Sequence, residues 1–237
     1  MSTLVVGATG ATGRLLVEQL LAAGRPVRAL VRSADRLPAA VRGHELLTVI
    51  EAAVLDLPRH ELAGHVAGCR TIVSCLGHNL SFRGIFGPPH RLVTEAVRSL
   101  CEAAADQSIR FVLMNTTANR NGDLDEHFSP GQHVFLGLLR VFLPPHSDNV
   151  QAAGFLRAVI GQHHPTIQWV AVRPDALIDA DSVSDYTAHP SPTRDSIFDP
   201  GRTSRINVAH FMTRLITDDA TWEQWRGRMP VIYNAEN

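Results

Sequence analysis

Short apolar runs alternate with longer amphipathic segments along most of the chain. Short runs bounded by glycine, proline or polar residues indicate buried strands, and apolar positions every three or four residues indicate helices. The pattern predicts strands at Thr3–Val6, Val27–Val31, Leu46–Ile50, Thr71–Leu76, Ile109–Met114, Ile167–Val172 and Val231–Tyr233. It predicts helices at Arg14–Ala23, Pro88–Asp106, Asp148–Ile160 and Asn207–Ile216. A further helix is predicted to start at Asp56, with Pro58 in its first turn.

This alternation predicts an α/β fold, a doubly wound parallel sheet with helices on both faces. We expect a single domain over residues 1–237, with a small irregular C-terminal portion on the substrate side. Residues 119–148 and 180–206 are predicted to be substrate-side excursions, and Ala180–Gly201 is predicted to be mostly loop. Ligands of such sheets bind beyond the carboxyl ends of the strands, so residues following each strand are candidate site residues.

Composition narrows the possible chemistry. The 237 residues carry a net charge of -1, which argues against nucleic acid as a partner. All 22 basic residues are arginine, so lysine Schiff bases, Walker lysines and a catalytic Tyr/Lys pair are excluded. Three cysteines without a C-x-x-C motif and the absence of a signal or membrane-spanning pattern predict a cytoplasmic protein. The 12 histidines form no metal-binding motif, and no metal is expected.

A glycine-rich turn separates the first strand from the first helix. Its sequence runs Gly7-Ala8-Thr9-Gly10-Ala11-Thr12-Gly13. Glycines at this point permit a tight turn, close approach of the backbone to a pyrophosphate, and close packing of helix on strand. The N-terminus of the following helix would offer free N–H groups to the anion. We therefore predict a dinucleotide site that includes Gly7, Thr9, Gly10, Ala11, Thr12 and Gly13.

The residues after the second strand bear on the choice of dinucleotide. Sites for NAD place an acid there, which binds the ribose 2′-OH. Here Arg32 and Ser33 follow the strand, with Arg36 close by, and arginine is suited to a 2′-phosphate. Asp35 is near but not at the strand end. NADP(H) is therefore favoured over NAD(H), unless Arg32 is only a solvated loop residue.

Several of these motifs together resemble a known family. The glycine turn, the Leu30-Val31-Arg32 strand end and Asp56-Leu57 resemble the atypical short-chain dehydrogenase/reductase superfamily. Ala171-Val172-Arg173-Pro174 and the segment 204–212 are similar to the NAD(P)H-binding, NmrA-like group, which includes flavin/biliverdin-IXβ reductase. The resemblance extends over most of the chain and implies an NAD(P)-binding Rossmann fold.

The resemblance implies roles for individual residues. Asp56 and the backbone of Leu57 would contact the adenine, although Asp56 could equally be only a helix N-cap. Thr117 would lie beside the nicotinamide, or alternatively satisfy backbone at a strand end. Further cofactor contacts are implied for Cys75, Leu76, Gly77 and Pro174. His78 is a possible proton donor, but a lone histidine is more often a satisfied structural residue.

The chain departs from the family at its catalytic pair. Short-chain reductases use Tyr-x-x-x-Lys, but lysine is absent and the only tyrosines, Tyr186 and Tyr233, do not precede the sixth-strand helix. Counting back from the sixth strand places His146 near the tyrosine position and Asn149 near the lysine position. His146 is the best replacement acid because an imidazole titrates near neutral pH. Asp148 could be the N-cap of that helix.

The activity expected from the resemblance is hydride transfer from NADPH to a flat small-molecule electrophile such as a flavin, quinone or enone. Related flavin reductases carry a histidine shortly after the proline of this signature, but here the region reads Pro174-Asp175-Ala176-Leu177, so flavin or biliverdin specificity does not follow. A non-catalytic NADP(H)-binding redox-sensing regulator is the alternative. An epimerase is disfavoured because such enzymes normally use the Tyr/Lys pair. The group includes monomers and homodimers, so either state is possible.

Overall fold

The computed structural model describes residues 1–78, 87, 89–104, 107–126, 131–132, 135, 137 and 144–235. The strands in this part of the chain are β1 (Ser2–Val6), β2 (Val27–Val31), β3 (Leu47–Glu51), β4 (Cys69–Ser74), β5 (Ile109–Met114), β6 (Ile167–Pro174), β7 (Ala176–Ile178), β8 (Tyr186–His189), β9 (Arg202–Ser204) and β10 (Val231–Asn234). The helices are α1 (Ala11–Ala22), α2 (Ala39–Arg42), α3 (Arg59–Val66), α4 (Leu92–Ala103), α5 (Pro144–Phe155), α6 (Arg205–Thr217) and α7 (Asp219–Trp225). A 3-10 turn covers Ala34–Arg36, and a π-helical turn, Leu156–Ile160, continues α5.

Eight strands form one sheet in the order β3-β2-β1-β4-β5-β6-β10-β8, and β7 pairs with β9 separately. The first seven strands in that order run parallel, and β8 is antiparallel to β10. One core lies between the sheet and helices α3, α4 and α5, and a second lies between the opposite face and α1, α6 and α7. The expected single-domain, doubly wound α/β fold is confirmed.

The parallel strands end together at one edge of the sheet, which fixes where the candidate residues lie. Val6 pairs with Leu30 and with Ser74, and Met114 pairs with Val172. Val6, Ser74 and Met114 close their strands, and Leu30 and Val172 lie within two residues of the ends of theirs, so the segments after β1, β2, β4, β5 and β6 meet along one edge. The predicted site residues after each strand therefore share this carboxyl edge.

Several element boundaries differ from prediction. The predicted loop 180–201 contains β8, whose pairing with β10 joins distant parts of the chain and leaves no local signal. Helix α3 begins at Arg59, so the prediction that Asp56 starts and caps it is wrong. Helix α4 begins at Leu92 rather than at the predicted residue 88, which lies outside the described residues. Much of the predicted excursion 119–148 beyond residue 126 also lies outside them.

Helix α5 begins at Pro144, and Asp148 is therefore inside it and not its N-cap. Trp222 and Trp225 are buried in the second core and pack the C-terminal end of the chain against the sheet. None of the helices that the structure describes has the length and apolar character of a membrane-spanning segment.

Candidate functional site

The glycine turn joins β1 to α1 and touches the end of β4. Gly7 has a φ of 78°, a conformation that favours glycine, and a Cβ there would lie 2.6 Å from the Cys75 carbonyl. At Gly13 a Cβ would lie 2.2 Å from the Gly7 carbonyl oxygen, because the first turn of α1 packs directly on the loop. The protein's own packing thus requires glycine at both positions.

Gly10 is under less internal constraint than Gly7 and Gly13. Its φ of -75° and ψ of 164° suit any residue, and a Cβ would lie 3.2 Å from the Gly7 carbonyl oxygen, a tight contact that a small shift relieves, and 4.0 Å from that of Cys75. Gly10 and Ala11 are exposed at the carboxyl edge. The absence of a side chain at Gly10 therefore leaves the backbone in front of α1 accessible to a ligand.

The N-terminus of α1 fits a phosphate group. Gly10 is its N-cap and gives no side-chain cap, and the first turn contains no acidic residue. The first amides of a helix lack partners inside the helix and carry the positive end of its dipole. A dinucleotide pyrophosphate would be stabilised by both features, with Ala11 and Thr12 supplying backbone N–H groups. Thr9, half-buried, precedes them in the turn.

The end of β4 lies against the glycine turn, as the prediction of a shared site requires. The Cys75 amide donates to the Val6 carbonyl at 2.9 Å, and the backbone of Cys75 and Leu76 faces Gly7. Gly77 is exposed, and a Cβ there would meet nothing within 4 Å. Burial raises the pKa of Cys75 to about 12, so the group is a neutral thiol and not a nucleophile.

The end of β2 presents a polar turn. Arg32 and Arg36 are exposed and Ser33 is half-buried. Glu51, which ends β3, lies opposite Val31, and its carboxylate accepts a hydrogen bond of 2.9 Å from the Ala34 amide. The sequence prediction missed Glu51 because this acid reaches the turn from the neighbouring strand.

Asp56 and Leu57 follow β3 in a short turn. The Asp56 amide donates to the Ala53 carbonyl at 3.0 Å, and Pro58 is the N-cap residue of α3. Asp56 is exposed and Leu57 half-buried. Asp56 is therefore available to a ligand and is not occupied in capping α3, so its contact with adenine stays a prediction.

Thr117 and Asp175 meet where β5 and β6 end. The Thr117 hydroxyl donates to Asp175 at 3.0 Å, and the Thr117 amide donates to the Pro174 carbonyl at 3.1 Å. The other Asp175 oxygen accepts from the Gly201 amide at 3.0 Å. Burial raises the pKa of Asp175, while the bond from Thr117 acts in the opposite direction. Sequence reasoning noted Asp175 only as a departure, and its position after Pro174 was the signal.

His146 and Asn149 lie three residues apart in the first turns of α5, on the same side of the helix. His146 is 9% exposed. Asn149 donates its side-chain amide to the Pro145 carbonyl at 3.1 Å. Asn115, after β5, donates to the Asn149 carbonyl at 2.9 Å and so ties α5 to the carboxyl edge. Sequence reasoning did not identify Asn115.

Asp148 caps a different helix from the one predicted. Its carboxylate accepts from the Val93 and Thr94 amides, at 2.7 and 2.9 Å, in the first turn of α4. The Thr94 hydroxyl donates to it at 2.6 Å, and His78 Nε2 lies 2.7 Å away. Since the carboxylate accepts these bonds, Nε2 is the donating nitrogen of His78. The buried side chain of His78 thus joins the end of β4 to α4 and α5.

Arg173 anchors the first part of the 119–148 segment. Its side chain is fully buried and forms an ion pair with Glu126 at 2.7 Å. The guanidinium also donates to the carbonyls of Met229, Asn119 and Pro190 at 2.7, 2.9 and 3.1 Å. Residues 119–126 are therefore fixed against the end of β6, next to Thr117 and Asp175.

A cavity of about 900 Å³ opens beside this region. Its walls include Ile178, Gly201, Arg202 and Tyr233. Because the Gly201 amide binds Asp175, the cavity adjoins the Thr117–Asp175 pair on the β10 side of the sheet. Across the described ranges, no group of three or more histidine, cysteine, aspartate or glutamate residues could hold a metal ion.

Comparisons with known proteins agree with this geometry. A sequence model of NAD(P)H-binding proteins matches residues 7–219. No curated protein matches the sequence significantly. Among solved structures, an oxidoreductase from Lactococcus lactis, ylbE, superposes with a TM-score of 0.71 at 17% identity, covering 100% of this chain and 92% of the other.

Two further structures are similar in fold. ChuY, an anaerobillin reductase from Escherichia coli O157:H7, gives a TM-score of 0.69 at 19% identity and covers 100% of this chain and 98% of its own. A short-chain dehydrogenase/reductase from Veillonella parvula, solved in complex with NADP, superposes with a TM-score of 0.69 at 16% identity. The superposition covers 98% of this chain and 94% of the other. At these identities the likeness shows a shared fold.

Proposed function

This chain belongs to the NAD(P)H-binding family, and we propose from that premise that it is an NADPH-dependent oxidoreductase. It would reduce a flat electrophile of the flavin, quinone or enone type without a Tyr/Lys pair. The observation that carries the proposal is the uncapped N-terminus of α1, with Gly10 exposed in front of it, on the edge where the strands end. The oxidoreductase and anaerobillin reductase of the same fold are consistent with it.

The cofactor proposed is NADP(H) in preference to NAD(H). Arg32 and Arg36 are exposed beside Ser33 at the end of β2, where charge-assisted hydrogen bonds to a 2′-phosphate are possible. The related fold from Veillonella parvula was solved with NADP, which is a property of that protein. Asp56 would contact the adenine, and Cys75, Leu76 and Gly77 would line the ribose and pyrophosphate.

When bound, the nicotinamide supplies a hydride to the acceptor. The chain's own residues would bind and orient the two molecules and exclude water. We place the nicotinamide beside Thr117 and Pro174 and the acceptor in the adjoining cavity. Because the Thr117 hydroxyl already donates to Asp175, Thr117 is better suited to accept a hydrogen bond than to donate one. Solvent is then the simpler source of the proton, with His146 as the alternative.

A non-catalytic NADP(H)-binding regulator is the second candidate, and one observation favours it. Both tyrosines lie on β8 and β10 instead of on α5. The Tyr186 hydroxyl lies 2.8 Å from His210, and the Tyr233 hydroxyl accepts from the Thr193 amide. Neither tyrosine stands at the position on α5 that corresponds to the family's catalytic tyrosine. In both cases we propose a cytoplasmic protein, since the three cysteines are unpaired. We propose that it is a monomer or a homodimer, as in the group that the sequence resembles.

Turnover with a panel of acceptors separates the two candidates. Purified protein is mixed with NADPH and, in turn, with free flavins, quinones and enones, and the loss of NADPH absorbance is followed. We expect oxidation of NADPH with at least one acceptor, with one acceptor reduced for each NADPH consumed. Tight NADPH binding without oxidation by any acceptor would favour the regulator, and absence of binding would overturn both candidates.

A further inference from the structure

Glu51 brings a negative charge to the turn that follows β2. It ends β3 opposite Val31, the last residue of β2, so its side chain reaches across to the neighbouring turn. One carboxylate oxygen accepts a hydrogen bond of 2.9 Å from the Ala34 amide. The Ala34–Arg36 turn has Ser33 as its N-cap, but the Ser33 side chain makes no capping bond. The carboxylate of Glu51 instead makes the capping hydrogen bond, with the Ala34 amide.

The groups around this carboxylate are suited to an anion. Arg32 and Arg36 flank the turn and are exposed, and Ser33 lies between Arg32 and the amide bound by Glu51. Neither of these guanidinium groups has an ion-pair partner within the described ranges. The turn therefore gathers two cations, a hydroxyl and a backbone N–H, and a carboxylate of the protein occupies the N–H.

We infer that Glu51 is a cofactor-discriminating residue, which competes with the 2′-phosphate of NADPH for the turn after β2. This inference rests on the proposed function, since it assumes that Arg32 and Ser33 face the adenosine ribose. A 2′-phosphate held there meets a second anion, and it can use the Ala34 amide only if Glu51 withdraws. NADH carries no 2′-phosphate and leaves the Glu51–Ala34 bond in place. Glu51 thus narrows the preference for NADPH that the arginines create.

The electrostatic part of this competition has a predictable size. Two unit charges about 4 Å apart interact weakly in bulk water and several times more strongly near a protein surface. Glu51 is exposed, so the lower part of that range applies and salt will weaken the effect. Removing the charge should therefore tighten NADPH binding by about tenfold.

Calorimetric titration of NADPH and NADH into wild type and Glu51→Gln tests the inference. Glutamine keeps an oxygen for the Ala34 amide and removes the charge. We expect NADPH to bind about tenfold more tightly, NADH to change by less than about twofold, and the gain to shrink as salt is added. Arg32→Ala should have the opposite effect on NADPH. Equal melting temperatures of wild type and Glu51→Gln would verify that the turn is intact.

Asp35→Asn is the matched control. Asp35 lies in the same turn, its side chain is 93% exposed, and it pairs with Arg42, so its removal changes net charge equally. An NADPH gain equal to that of Glu51→Gln would show a general charge effect and overturn the inference. So would unchanged or weaker NADPH binding in Glu51→Gln, or weaker NADH binding, which would make Glu51 a ribose ligand. Failure of wild type to bind either dinucleotide would instead overturn the proposed function.

Discussion

Thr117 and His146 are the two side chains proposed to act on the acceptor, and both are buried. Thr117 is 2% exposed and its proton lies on the bond to Asp175. His146 lies in the first turn of α5, where the family's tyrosine was expected from the counting of residues. A group that donates protons to substrate must reach it directly or through one water. The Thr117–Asp175 bond therefore argues for a proton from solvent.

Substitution of His146 and Thr117 separates these routes. We expect His146→Ala to lower turnover by less than about tenfold, because a true general acid contributes about 10²–10⁴. Thr117→Val should weaken acceptor use more than NADPH binding, since it removes only the hydroxyl at the end of β5. Steady-state kinetics and NADPH titration on the same samples make the comparison. His60→Ala and Thr48→Val, both at exposed positions, are the controls. A thousandfold loss in His146→Ala with intact NADPH binding would identify His146 as the acid.

Among the elements, α5 shows most clearly that a local sequence pattern does not always identify which helix a residue caps. Asp148 precedes a helical pattern, which is typical of an N-cap, yet the helix begins at Pro144 and the carboxylate caps α4 instead. Local sequence cannot reveal that partner, because the bond joins residues 55 positions apart. Asp56 does not cap α3, because that helix begins later than predicted, with Pro58 as its N-cap residue. Ser204 shows the contiguous case, because its side chain accepts from the Asn207 amide in the first turn of α6, the helix that directly follows it.

The Arg173–Glu126 pair is expected to hold the segment 119–126 onto β6. Both side chains are almost fully buried, and a buried charge that loses its partner is strongly destabilising. Glu126→Gln should lower the free energy of unfolding by about 3 kcal/mol, as measured by urea denaturation. As a control, Glu223→Gln removes an exposed partner of Arg226 and should change the free energy of unfolding by less than about 0.5 kcal/mol. Equal stabilities of the two variants would contradict a structural role for the buried pair.

For the whole molecule, the order of apolar runs was enough to predict a doubly wound sheet, because alternating strands and helices have few ways to bury both faces. The glycine turn and the arginines after β2 were also readable, since each occupies a short stretch next to a strand. The contacts of Glu51, Asp175 and Asn115 could not be predicted in this way, because each is a hydrogen bond to a segment far along the chain. The antiparallel strand β8 was missed for the same reason.

Titration of NADPH into wild type and Gly10→Val tests most directly whether the glycine turn is a dinucleotide site. A valine side chain would cover the backbone before α1, while the φ and ψ of Gly10 suit valine and its tight contact with the Gly7 carbonyl oxygen needs only a small shift. Gly64→Val, at an exposed position where a Cβ meets nothing within 4 Å, is the control. The account predicts that Gly10→Val folds, with urea denaturation near that of wild type, and binds NADPH about a hundredfold more weakly or not at all. Unchanged binding in folded Gly10→Val would contradict it and place the ligand elsewhere.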